Sequence, residues 1–302
     1  MFRERNSGRV RAGLRAVIPA LVTLVLLIGW MQWLVPVAIP DRRAVTTAAL
    51  GMGLGYLGYS FAVALALWIA TRLDHRRVTD YGLVIDGNWI RDFAVGTAIG
   101  LVAFVVSVQY ARLRGVAEVD TGALEVDSSA AAALVVGGLL LFVGFNLVQN
   151  VYEEVVYRGI MLQTLAEGLA ERGRSPRTAV LGATALSCLA FGAFHLPLAG
   201  PAVAADAAVV GLSFALAYVL TGNLGLATGV HFGRTPLNVL VESGAEATTP
   251  FGLPPAIEFV GLASDVEILR LAVTGLLLVA WAYHVTGRIG VSERVYRSTQ
   301  SR

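Results

Sequence analysis

The sequence predicts an all-α, polytopic membrane protein of about eight transmembrane helices with both termini cytoplasmic. Three observations carry that prediction. Hydrophobic residues make up 56% of the 302 residues and charged residues only 15%, with a mean hydropathy of +0.69, the balance of a bilayer protein rather than of a soluble domain. Apolar runs recur about every 25 to 35 residues, each long enough to cross roughly 30 Å of hydrocarbon as a helix. Arginines collect in alternate connections between the runs.

The first run, residues 17–39, follows the basic segment RERNSGRVRAGLR. It is too long for the apolar core of a secretory signal and no A-x-A-like cleavage pattern follows, so it reads as an uncleaved helix. The remaining runs are 44–70, 91–110, 130–166, 178–197, 202–220, 224–242 and 267–286. With that number of crossings, four arginine-rich segments fall on one side: the N-terminal tail (Arg3, Arg5, Arg9, Arg11, Arg15), residues 71–91 (Arg72, Arg76, Arg77, Arg91), the 171–177 turn (Arg172, Arg174, Arg177) and the C-terminal tail (Arg288, Arg294, Arg297, Arg302). That side is cytoplasmic by the positive-inside rule, making this a multi-pass protein of the cell membrane. The opposite loops hold Glu118, Asp120, Glu125 and Asp127, then Glu242, Glu246, Glu258 and Asp265.

No repeat or low-complexity tract divides the chain, and its longest polar connections, 71–90, 111–129 and 243–266, suit loops or interfacial helices. Residues 1–302 therefore read as a single integral membrane domain. The lone Cys188 lies within an apolar run; it excludes an internal disulfide and a cysteine-based metal cage and fits a small packing residue. All 23 basic residues are arginine. Membrane lipids are the expected surroundings, anionic headgroups the expected neighbours of the arginine-rich side, and no nucleic-acid partner is expected.

Chemistry concentrates where the fourth run turns polar: Asn146, Gln149, Asn150, Tyr152, Glu153, Glu154, Tyr157 and Arg158. At helical spacing Asn146, Gln149 or Asn150, Glu153 and Tyr157 share one broad face, while Glu154 and Arg158 stand at the i,i+4 spacing of an ion pair. Ionisable groups within a membrane helix are costly unless paired or hydrated, which marks them for function. Taken alone, the segment also fits carboxylates at a helix end in the headgroup layer. The next helix shifts the balance. The turn ERGRSPR is short, so the flanking helices are antiparallel neighbours. Glu153 lies 21 residues before Arg174 and His195 lies 21 residues after it, which predicts that carboxylate and imidazole share one depth inside the membrane. That depth is roughly 30 Å from the turn's tip, so the helix ends must project or tilt.

His231 lies in the seventh run, with Thr235 and Asn238 four and seven residues on, near the imidazole's face. Depth matching for His231 requires a tilted sixth helix or a raised turn. His75 and His284 occupy ordinary interfacial positions. A glutamate beside a histidine can hold a water and remove its proton. A second histidine with a neighbouring Thr or Asn can donate to the oxyanion formed when a carbonyl is attacked. Two histidines and a carboxylate (Glu153, His195, His231) are equally a three-ligand zinc set with an open position for water. The residues leave both schemes open.

The strings EEVVYR (Glu153 to Arg158), FGAFH (Phe191 to His195) and LATGVHF with His231 resemble the CAAX prenyl endopeptidase and bacteriocin-processing family of intramembrane peptidases, also called the Abi family. The resemblance covers about 130–242. It implies an intramembrane endopeptidase acting on a peptide or protein, lipidated or not, with Glu153 activating water beside His195, Glu154 paired with Arg158, and His231 with Thr235 or Asn238 holding the oxyanion. The family is described both as glutamate-dependent and as metal-dependent, so the resemblance allows zinc at Glu153, His195 and His231. One departure stands out: where the third motif has Asn or Asp four residues after the histidine, this chain has Thr235, preceded by Arg234 and followed three residues later by Asn238. Two other readings compete: a non-catalytic immunity or scaffold member of the same family, and a carboxylate-and-histidine transporter, for which the repeat symmetry and paired broken helices are lacking.

Overall fold

In the computed structural model, which describes residues 9–39, 45–119, 129–235, 241–242, 257–259 and 264–300, the long apolar runs are helical. Helix α1 (Ala12–Gly29) continues through a π-helical turn at Trp30–Leu34 into α2 (Val35–Ala38), and α3 spans Val45–Asp74. After a 3₁₀ turn at Val78–Tyr81 comes α4 (Gly87–Leu113), then α5 (Ser129–Glu154), which passes through a π-helical segment, Val155–Leu162, into α6 (Gln163–Ala170). Helix α7 (Pro176–Thr221) opens with Pro176 in its first turn and Ser175 Oγ accepting from Thr178 N at 3.3 Å. Gly200, at φ 82° and between Pro197 and Pro201, breaks α7 into two spans. Helices α8 (Leu224–Arg234), α9 (Ser264–Thr286) and α10 (Glu293–Ser298) complete the order.

Among the described residues seven helices are long and apolar enough to cross a membrane: Ala12–Ala38, Ala49–Asp74, Gly87–Leu113, Val136–Ala170, Pro176–Pro197, Ala199–Thr221 and Ser264–Thr286. The chain is an all-α, multi-pass membrane protein. The run read as 224–242 is described as helix over Leu224–Arg234, 11 residues and a rise of roughly 16 Å. Residues 236–240, with Asn238, lie outside the described residues.

One end of the bundle is tied by arginines. The buried Arg15 Nη1 meets Asp74 Oδ1 at 2.5 Å, and Glu167 accepts from Arg9 at 2.5 Å and from Arg76 at 2.8 Å. Tyr81 donates to Asp74 at 2.8 Å, and burial beside that carboxylate pushes its hydroxyl pKa up, so it stays a donor. The C-terminal segment returns to the same end: Ser292 N donates to Val219 O at 2.8 Å and Arg294 Nη1 to Thr79 O at 2.5 Å. The first and last described segments therefore sit at one end. At the other end β1 (Ala117–Val119) pairs antiparallel with β3 (Ile257–Phe259), which pairs parallel with β2 (Val241–Glu242). Strands this short leave no alternation to read in the sequence, and they were not expected.

Helix α8 is seated by its glycines. Gly229 and Gly233 face Gly96 and Gly100 of α4, and Gly225 the Trp89 backbone, so closely that a Cβ on Gly96 would lie 2.5 Å from Leu226 O, and one on Gly100 2.7 Å from Val230 O. Small residues every fourth position let two backbones touch in this way.

Candidate active site

The turn before α8 decides where the site forms. Gly222, at φ 68°, ends α7, and Asn223 Oδ1 accepts from Gly225 N at 2.8 Å to start α8. Leu224 N donates to Gly82 O at 3.2 Å, and Gly159 packs against Tyr81 O and the Leu224 side chain. The turn is thus level with Gly159, well inside the tip of the 171–175 turn. This is the raised turn that the depth argument for His231 required.

Seven residues into α8, His231 meets the glutamate pair. Its Nδ1 is 2.9 Å from Glu154 Oε1 and its Nε2 is 3.5 Å from Glu153 Oε2. Glu154 Oε2 lies 3.3 Å from Arg158 Nε, both side chains fully buried. Arg158 Nη2 donates to Gly211 O at 2.9 Å, and a Cβ on Gly211 would come 2.8 Å from that same nitrogen. Arg158 Nη1 is buried with no hydrogen-bond partner among the described residues, its guanidinium lying 4.5 Å from the Phe191 ring centre and 5.3 Å from that of Phe214. Gln149 Nε2 donates to Glu153 Oε1 at 3.1 Å. Two carboxylates, a guanidinium and an imidazole thus share one buried cluster, and Arg158 commits Glu154 more fully than Glu153.

His195 is held by its own helix. Its Nδ1 is 2.9 Å from Phe191 O on its own helix, which leaves Nε2 as the outward nitrogen, and its ring packs edge-on to Phe191 (4.8 Å) and Phe194 (5.3 Å). The same Phe191 ring touches His231 at 5.8 Å, and Phe214 stacks on His231 at 4.1 Å. Depth matching placed Glu153 beside His195. The contacts shown for Glu153 are with Gln149 and His231, because the raised start of α8 brings His231 to the glutamates while His195 turns to its own backbone.

One turn beyond His231, Thr235 Oγ1 donates to His231 O at 2.8 Å and accepts from Asn150 Nδ2 at 3.2 Å. Asn150 is buried. It lies in the polar stripe of the fourth run, four residues before Glu154, and only the fold brings it to Thr235. Gly211 and Phe214 carried no such signal, since only the fold brings them to Arg158. Among the described residues no three His, Cys, Asp or Glu side chains are arranged to hold a metal ion, and Glu153, His195 and His231 do not form such a set.

No curated protein and no solved structure gives a match to the chain. A family model described as Rce1-like, type II CAAX prenyl endopeptidase Rce1-like, matches residues 135–235, about a third of the chain and the stretch holding Glu153, Glu154, Arg158, His195, His231 and Thr235. The match falls on the same stretch as the strings EEVVYR, FGAFH and LATGVHF, so the motifs and the family model point to the same likeness over residues 135–235.

Proposed function

We propose that the protein is an intramembrane endopeptidase of the cell membrane in which Glu153 removes the proton of the attacking water. The observation that carries this reading is His231 set between two buried carboxylates, one of which Arg158 engages. Glu154, held by Arg158 and His231, positions the imidazole. Glu153 has one oxygen steadied by Gln149 and the other 3.5 Å from His231 Nε2, longer than a good hydrogen bond, so that oxygen is free to take a proton. The imidazole beside it balances the charge that develops as the water is consumed.

Thr235 directs its own proton to His231 O, so the better oxyanion donor is Asn150, whose amide keeps a second N–H after bonding Thr235. Asn150 in this way supplies the amide that the third motif lacks at position 235. His195, with Nε2 outward and its residue half-buried, stands at the mouth of the cluster, where it can pass a proton to the leaving amine. The endopeptidases of the matched family are named for CAAX prenyl substrates, and from that name we extend only the reaction class, hydrolysis of a peptide bond in a peptide or protein, lipidated or not.

Detergent-purified protein and its Glu153→Gln and His195→Ala variants, assayed together for metal content and for cleavage of a peptide library, test the proposal. Cleavage by the parent that Glu153→Gln abolishes supports it. Near-stoichiometric zinc that falls in His195→Ala replaces the metal-free scheme with a zinc-assisted one. No cleavage by the parent favours the non-catalytic reading.

A further inference from the structure

The span Ala49–Asp74 ends two residues before Arg76 and the span Val136–Ala170 three residues after Glu167, and a cavity of about 370 Å³ lies between the turn after α3, the α6 face and α10. Its size is within the range of small-ligand sites, roughly 300 to 1,000 Å³. Arg76, Arg294 and Arg297 line it with Gln163 and Glu167. The Arg76 side chain is only 8% exposed; its Nη2 donates to Glu167 at 2.8 Å, and its buried Nη1 has no hydrogen-bond partner among the described residues. Arg294 uses Nη1 on Thr79 O, and Arg297 uses Nη2 on Glu293 at 3.0 Å.

The carboxylates of the walls are engaged. Glu167 is bonded by Arg9, Arg15 and Arg76, Glu293 by Arg297, and Asp80 by the Arg77 backbone N–H at 2.9 Å. A guanidinium carries five N–H donors, so Arg294 and Arg297, each with one nitrogen engaged, keep donor capacity on the cavity's walls, next to the ends of two membrane spans. Three arginines against three carboxylates leave the walls nearly neutral, which suits a ligand held by directed hydrogen bonds with a single negative charge.

We propose that this cavity binds a phosphate monoanion of the kind carried by phospholipid headgroups, with Arg76, Arg294 and Arg297 as its donors. The ligand would tie α10 to the turn after α3 and to α6, the continuation of the helix that carries Glu153 and Glu154.

The test is native mass spectrometry of the full chain in detergent, titrated with phosphatidylglycerol, for the parent, the Arg294→Gln/Arg297→Gln double variant, Arg76→Gln, and Arg112→Gln at the opposite end as a control. Binding about tenfold weaker in the double variant, the scale of lost charge-assisted hydrogen bonds, with the control unchanged, is the expected result. Because Arg76 also holds Glu167, Arg76→Gln can lose binding by losing fold, and the double variant decides. Inorganic phosphate that binds with the same arginine dependence while the lipid does not assigns the site to a soluble phosphate. Equal lipid and phosphate binding by parent and double variant, or none by the parent, overturns the proposal.

Discussion

Glu154 and Arg158 are both fully buried, and each leaves a charge behind if the other is removed. Breaking such a pair from one side costs about 3 to 5 kcal/mol, so Arg158→Ala should lower stability by that order, read as unfolding of the purified protein in detergent. Glu153 is as buried but holds only Gln149 and a long contact to His231, so Glu153→Gln should fold and fail in turnover. Asn150→Ala should lower kcat on the order of 100-fold with little change in KM, the mark of an oxyanion donor, whereas Thr235→Ala should cost less. Steady-state kinetics on a cleaved peptide separate these outcomes. At this scale the sequence was legible where chemistry is local: the Glu154 and Arg158 spacing is a helix property. It was not legible for Asn150, whose meaning depends on Thr235, 85 residues away.

Helix α8 shows what an element can hide. Its apolar run continues past Arg234, and the described helix covers the first 11 residues of it. The readable signal was the repeat Gly225, Gly229, Gly233, the last two opposite Gly96 and Gly100, which announces backbone contact rather than length. Gly100→Ala puts a methyl 2.7 Å from Val230 O, a backbone atom that can give way only if α8 moves. Overpacking of this kind costs about 1 to 3 kcal/mol, and because His231 follows Val230 the variant should lose activity beyond its loss of stability. Activity per folded molecule, measured below its unfolding transition, checks this. The π-helical segment Val155–Leu162, wholly buried directly after Glu154, was likewise invisible to a reading that assumes a constant helical period.

Across the whole molecule, the arginine distribution predicts that both tails share a side; among the described residues Arg9 bonds Glu167 and Arg294 bonds Thr79. The far end also carries basic residues: Arg114 pairs with Asp265, and Arg112 bonds Gln109. Cysteines introduced at Arg297 and at Arg112, both exposed, should react with a membrane-impermeant maleimide from opposite sides of sealed vesicles, position 297 from the cytoplasmic side; Cys188 is buried and should stay silent. Labelling of both positions from one side would contradict the topology.

Hydrolysis in ¹⁸O-water by the reconstituted protein tests the central claim most directly. The account predicts that a peptide library yields fragments whose new carboxyl group carries ¹⁸O, and that Glu153→Gln, folded and inserted as the parent is, yields none. Fragments produced equally by Glu153→Gln would place the base elsewhere and contradict the account.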